Sequence, residues 1–280
     1  GPFEKGDTRE RARLDAVIAR HRPDAVMHFA GYIEVADSVR DPLRFYRNNV
    51  AGSLVLLQAM HAASVAQIVF SSSCAVYGAP DMVPISEDTA FAPISPYARS
   101  KLAMEYMLED CRTAHGLSYA ALRYFNAAGA DSQARIGESH SPETHALPLL
   151  IDTALGRRKH FSIFGSDYPT ADGTAIRDYI HVDDLAAAHV LALEHLLAAE
   201  DSLVLNLGTG TGVSVRELID AVERVSGREV PVVDEARRPG DPPALVADPA
   251  RARETLNWRP AYSEIEAIIT TAWKWHAERN

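Results

Sequence analysis

Cysteine is nearly absent: only Cys74 and Cys111 occur among 280 residues. Two cysteines in a chain of this size make no disulfide framework, which fits a reduced, cytoplasmic setting. Long apolar runs are missing too. The longest stretches fall far short of a membrane span, so no transmembrane helix is expected. No charged segment followed by an apolar one opens the chain, as it would in a signal peptide. Basic charge is scarce: 28 Lys and Arg stand against 38 Asp and Glu, a net charge of −10. An acidic chain lacks the electrostatic footprint that nucleic acid requires. An anionic ligand can still be held by a local basic cluster or by a helix N-terminus. Internal repeats, low-complexity tracts and flexible linkers are absent as well.

What is present is core. Hydrophobic residues make up 47% of the sequence, enough for one large domain or two smaller ones. The first part alternates strand and helix patterns. Apolar runs over 25–29, 67–70 and 118–125 read as strands, and the segments 42–63 and 95–115 read as helices. Asp41 is the expected N-cap of the first helix; Ser95 with Pro96 at the first helical position opens the second. Such alternation predicts a parallel, doubly wound sheet. From Asn126 the pattern changes to a loop-rich stretch as far as Thr144, followed by a helix over 147–155 and a strand over 160–164. A helix over 182–199, a strand over 203–207, a helix from Ser214 to Gly227, another opened by Asp248-Pro249 and a last helix complete the reading. Two domains are expected, 1–125 and 126–280, with segments of the second returning to the first sheet.

Chemistry concentrates on Tyr97 and Lys101. Four residues apart in a helix, they face one side. An ammonium beside a tyrosine favours the phenolate, and the positive end of the helix acts in the same direction. A phenolate poised near neutral pH is a general base for an alcohol proton. Tyr-x-x-x-Lys recurs by chance, so its setting decides. Ser71-Ser72-Ser73 directly follows a predicted strand, and ligands of open α/β sheets sit beyond the carboxyl ends of strands. A serine there can hydrogen-bond both a sugar hydroxyl and the tyrosine oxygen, which completes a trio.

Ten segments now stand in order. They are Phe29-Ala30-Gly31, Asn48-Asn49-Val50, Ser71 to Gly78, Ser95 to Lys101, Arg123-Tyr124-Phe125-Asn126, Asp167-Tyr168-Pro169-Thr170, Asp172-Gly173-Thr174, Arg177 to Val182, Asn206-Leu207-Gly208 and Arg238-Pro239-Gly240-Asp241. Together they resemble the UDP-glucose 4-epimerase family of extended short-chain dehydrogenases over nearly the whole chain. The resemblance implies a Rossmann-like NAD-binding domain and a smaller mixed α/β domain for a UDP-sugar. It implies Tyr97 as base, Lys101 as the group that lowers the tyrosine pKa and holds the nicotinamide ribose, and Ser73 as the hydrogen-bond partner of sugar O4. Asp7, Phe29, Ala30, Gly31, Asn48 and Phe125 are implied to line NAD, together with the trio. Asn126, His145, Ser162, Ile163, Phe164, Arg177, Arg238 and Asp241 are implied to hold the substrate, the two arginines on the diphosphate, where a planar fork binds phosphate oxygens in pairs. The implied reaction takes the proton from the 4-hydroxyl while the C4 hydrogen passes with its electrons to NAD⁺; the 4-keto sugar turns over and is reduced on its other face. Relatives pair as homodimers through two helices per subunit, here those over 42–63 and 95–115.

The sequence departs from that family pattern in what it lacks. No G-x-x-G-x-x-G turn with its flanking strand and helix is present, and by comparison with the family about 50 residues are missing before Glu4-Lys5-Gly6-Asp7. The NAD site is therefore expected to be incomplete, and a sheet edge to be open. Smaller departures are Ile33, where many relatives carry a lysine, and Leu245, where a bulky tyrosine would exclude N-acetyl sugars. Alternatives are an epimerase for N-acetylhexosamine, pentose or uronate forms, or an inactive UDP-sugar-binding remnant; a 4,6-dehydratase is disfavoured because Ser73 is followed by Cys74-Ala75-Val76 and no acid. Residues 1–280 alone are expected to retain little NAD. Denaturing release followed by absorbance tests this, and one NAD per chain would refute it.

Overall fold

The computed structural model describes residues 1–199, 201–238 and 240–278; Pro239, part of one quoted motif, lies outside them. In chain order the strands are β1 Val26–His28, β2 Gln67–Ser71, β3 Ser118–Tyr124, β4 Asn126–Ala128, β5 Phe161–Phe164, β6 Ile176–His181, β7 Leu203–Leu207, β8 Gly212–Ser214, β9 Val232–Glu235 and β10 Ala244–Leu245. The chain forms two compact units. One comprises Gly1–Gly78, Ala90–Arg123 and His189–Leu205; the other comprises Ala79–Thr89, Tyr124–Ala188 and the chain from Asn206 onward. The segment Ala79–Thr89, which the sequence reading puts in the first domain, belongs to the second unit, where Ile85 N donates to Val246 O at 2.8 Å.

The first unit is built on a sheet of order β1-β2-β3-β7. β1 with β2 and β2 with β3 pair in parallel, Met27 opposite Val69 and Val69 opposite Ala120. β2 and β3 are near-continuous apolar runs because both of their faces are covered: Ile68, Val69, Ala120, Ala121 and Leu122 have no exposed surface. Among the described residues β1 pairs with β2 alone, which leaves its other edge open. The helix Pro96–His115 is specified at both ends. Ser95 Oγ accepts from Ala98 N at 3.1 Å, Pro96 occupies the first turn, and Gly116 ends the helix at φ 70°. Tyr97, Lys101, Met104, Glu105 and Leu108 form its buried stripe.

Two features of this unit differ from the sequence reading. The helix opened by Asp41, whose side chain accepts from Arg44 N, runs from Pro42 to Ala62, but Tyr46–Ala51 within it are π-helical. A single widened turn of this kind is invisible in periodicity and is common at functional sites. The helix Arg11–His21 is also unpredicted; its sequence RARLDAVIARH is too charged to show an apolar stripe.

In the second unit a sheet of order β10-β6-β4 carries β8 antiparallel on β6, and β5 pairs in parallel with β9. A core of Leu147, Leu150, Ile151, Ile163, Leu218, Val222, Ile268 and Ile269 holds it together. The helix Val215–Ser226 starts with a capping box between Ser214 and Glu217 and stops at Gly227. β6 carries a buried carboxylate. Asp178 accepts from Thr209 N and Thr209 Oγ1 at 2.8 Å, Gly210 N at 3.0 Å and Ala247 N at 3.1 Å. Gly208 is required beside it, since a Cβ there would stand 2.5 Å from Asp178 Oδ2.

The buried ion pair of the first unit gives a stability test. Arg123 and Glu105 side chains are 4% and 7% exposed, with Arg123 Nε 3.0 Å from Glu105 Oε1. Removing the guanidinium leaves a carboxylate buried without its counter-charge. Arg123→Met is expected to cost about 3–5 kcal/mol in urea unfolding, and the double change Arg123→Met with Glu105→Leu markedly less. Equal losses in the two variants would contradict this account.

Candidate active site

Residues that could act on a substrate gather at the carboxyl ends of β1 and β2. After β2, Ser71, Ser72 and Ser73 are all buried, and Ser73 caps the short turn Cys74–Tyr77 by accepting from Ala75 N at 3.2 Å. Gly78 closes that turn at φ 70°; a Cβ on it would collide with Ala92 O at 2.0 Å. Lys101 is 5% exposed and donates from Nζ to Ser71 O at 2.6 Å. The ammonium stands 5.0 Å from the Phe70 ring centroid and 5.9 Å from that of Tyr97, which is 8% exposed. Burial pushes the Lys101 pKa down to about 8, with the nearby charge of Glu105 acting the other way. The same ammonium, after burial itself, helps push His28 down to about 4, so that imidazole is neutral near physiological pH.

Phe29, Ala30 and Gly31 follow β1, and Phe29 is 55% exposed with its ring 4.9 Å from that of His189. A side chain at Gly31 would enter the space in front of the lysine: its Cβ would lie 3.4 Å from Asn49 Oδ1 and 3.8 Å from Lys101 Nζ. Asn48 donates to Asn49 Oδ1 at 3.0 Å. Asn49 in turn accepts from Tyr32 N at 2.8 Å and donates to Tyr32 O and Ser100 Oγ at 3.0 Å each. One buried amide therefore ties the loop after β1 to the helix that carries Tyr97 and Lys101. Residue type alone did not distinguish Asn49 from Asn48; its role follows from the π turn that aims it inward. Asp7 is tied to Arg9, Oδ1 accepting from Arg9 N at 2.9 Å and from Arg9 Nε at 2.8 Å.

In the second unit a chain of contacts runs from Arg177 to Phe164. Arg177, on β6, bonds Asp241, whose backbone N donates to Arg238 O at 3.2 Å. The Arg238 guanidinium stacks 3.7 Å from the Phe164 ring centroid. Phe164 and Ser162 share the open face of β5. Ile163 points the other way, 1% exposed in the core, so only its main chain is open to a ligand; the two-residue period of the strand decides which neighbouring side chains are. Leu245 on β10 stands opposite Arg177. Phe125 is 7% exposed, and Asn126, at the start of β4, pairs with Tyr179 of β6. Tyr168, unassigned in the sequence reading, is buried against Arg237 at 4.3 Å, and among the described residues its hydroxyl has no hydrogen-bond partner. His145 lies just before the helix Ala146–Ala154, its Nδ1 2.5 Å from Glu138 Oε1. Glu138 raises the His145 pKa, opposed by burial.

Residues 2–208 match the model of the NAD dependent epimerase/dehydratase family. The UDP-glucose 4-epimerase of Rhizobium leguminosarum bv. trifolii is 56% identical over 280 residues, which are 100% of this chain and 85% of that protein. The crystal structure of UDP-glucose 4-epimerase from Brucella ovis in complex with NAD superimposes with a TM-score of 0.95 at 50% identity, covering 99% of this chain and 85% of that one. The enzyme from Bifidobacterium longum in complex with NAD⁺ and UDP gives a TM-score of 0.94 at 38% identity, covering 99% and 83%. The chain belongs to the UDP-glucose 4-epimerase family.

Proposed function

We infer that this protein interconverts a UDP-hexose and its C4 epimer, UDP-glucose and UDP-galactose, with NAD as cofactor. The observation that carries the reading is the buried Lys101 ammonium one helical turn from Tyr97, at the end of a strand that closes on Ser73. The residues present after β1 fit the nicotinamide end of NAD. Gly31 leaves bare backbone in front of Lys101, where a Cβ would intrude to within 3.8 Å of the ammonium. NAD, when bound, accepts the C4 hydrogen with its electron pair and returns it.

The chain's own residues handle the proton and the substrate. Tyr97, as phenolate, takes the proton of the 4-hydroxyl; Lys101 stabilises that phenolate, and Ser73 holds the sugar oxygen and passes the proton. The same groups return the proton after the 4-keto sugar has turned over. Arg177, Arg238, Asp241, Asn126 and Phe164 hold the UDP end, and Tyr168 adds a hydroxyl to that face. Binding energy from this remote part keeps the keto intermediate in place while its sugar ring stays free to rotate.

Pairing as a homodimer, through the helices Pro42–Ala62 and Pro96–His115, is part of the proposal; exposed Leu54 and Tyr106 on them support it. So is a reducing, cytoplasmic setting, which the free thiols Cys74 and Cys111 support. Among the described residues no helix is long and apolar enough to cross a membrane.

Two measurements test the catalytic assignment. Tyr97→Phe is expected to lower kcat by about 10²–10⁴-fold with KM for the UDP-sugar little changed; an unimpaired kcat would remove Tyr97 from the mechanism. The pH profile tests Lys101. Burial lowers its pKa from 10.5 to about 8, so the ammonium is present below that pH and lost above it. The kcat/KM, which reports ionisations of the free enzyme, should fall as pH rises through about 8. A profile flat well into the alkaline range would show that the charge on Lys101 is not needed.

A further inference from the structure

Three side chains that the epimerase reaction does not explain, Glu138, His140 and Glu143, converge in the second unit with His145, which the family resemblance implies against the substrate. Glu138, His140, Glu143 and His145 follow the spacing Glu-x-His-x-x-Glu-x-His. One donor atom from each lies within 4.8 Å of all the others. Glu138 Oε1 is 3.4 Å from His140 Nδ1 and 2.5 Å from His145 Nδ1, and Glu143 Oε1 is 3.3 Å from His145 Nδ1. The two imidazole rings are 4.9 Å apart. His145 Nδ1 is buried, yet among the described residues it has no aligned hydrogen bond, although two carboxylate oxygens crowd it. The same nitrogen and the same carboxylate oxygens are the donor atoms that a metal ion between them would take.

We propose that this loop is a divalent transition-metal site, with zinc the ion it fits best. Ligand atoms about 2.0–2.2 Å from a tetrahedral zinc are separated from each other by about 3.3 Å; the 3.4 and 3.3 Å separations match that value, and the 2.5 Å contact of Glu138 Oε1 with His145 Nδ1 has to open when the ion enters. Two imidazoles with two carboxylates suit zinc better than magnesium or calcium, which take oxygen shells. The scaffold is set before the metal arrives. Trp275 Nε1 donates to Glu138 O at 2.8 Å, and Gly137 lies flat against that indole, where a Cβ would stand 2.5 Å from Cγ. Glu143 is fixed from the other side by accepting from Thr144 N at 2.7 Å and His145 N at 2.9 Å. Four protein ligands leave no open position, so the ion is structural. It pins the end of the long loop after β4 to the start of the helix Ala146–Ala154 and fixes the orientation of His145.

The test uses the full chain stripped of metal with a chelator and titrated with Zn²⁺ near neutral pH against a chromophoric indicator. One site per chain is expected, with a Kd below about 1 μM. His140 is exposed and outside the epimerase chemistry, so His140→Ala should keep fold and activity but weaken zinc by about 100-fold. Glu138→Gln should weaken it comparably. Zinc at about 100 times its Kd should raise Tm by about 5 °C in the parent and not in either variant. Binding no tighter than about 100 μM, or equal affinity in the parent and both variants, would overturn the proposal.

Discussion

A single buried ammonium governs the design of the first unit. Lys101 is almost removed from water and, among the described residues, is bonded to a main-chain carbonyl, Ser71 O, and not to a carboxylate. A carboxylate in contact would stabilise the charge, but it would also cancel the field that Lys101 exerts on Tyr97. The structure instead accepts the desolvation cost, visible as a pKa pushed down to about 8, and offsets it with the carbonyl, the face of Phe70 at 5.0 Å and the more distant Glu105. The charge therefore stays available to a phenolate. Everything that places Lys101 serves this end: the Ser95 cap that fixes where the helix begins, the stripe that buries its first turns, and β2, whose last carbonyl meets the ammonium.

Around that charge the fold needs a rigid frame that brings no competing charge into contact with it. Glu105, one turn beyond Lys101, is itself neutralised by Arg123, which also donates to Tyr77 Oη at 2.7 Å. Ser72 donates to the same carboxylate. The ion pair thus reaches both ends of the serine segment, at Ser72 and at Tyr77, with Ser73 held between them. A buried pair of this kind adds little net stability. Its contribution is positional, because each partner is satisfied only when the serine turn is in place.

Much of this was legible in the sequence because its signals are local. The helix Pro96–His115 is marked by a cap, a proline and a terminal glycine, and four-residue spacing places Tyr97 and Lys101 on one face. β2 and β3 read as buried strands from their apolar runs. β6 did not, because Arg177 and Asp178 break its alternation; Asp178 is tolerated only through the backbone donors that converge on it from distant loops. The site followed the same division. The roles proposed for Tyr97, Lys101 and Ser73 rest on local spacing and strand ends. The separation of Ile163 from Ser162 and Phe164 depends on which face of β5 meets the core, and the clustering of Glu138, His140, Glu143 and His145 depends on how a loop is folded. Neither is written in local pattern.

The chemistry also bears on the substrate end proposed for the second unit. An enzyme that equilibrates two C4 epimers must bind both, so it cannot derive its affinity from the configuration at C4. Binding energy has to come from parts of the ligand that are identical in the two sugars. The second unit supplies groups suited to that: a guanidinium stacked on Phe164 and a second guanidinium already oriented by Asp241. Arginine fits this task because a planar fork fixed in advance meets a diphosphate with little further loss of side-chain freedom. A lysine at either position would offer the charge without the orientation. The sugar could then rotate only at the expense of the diphosphate contacts, and turning the 4-keto ring would compete with holding it.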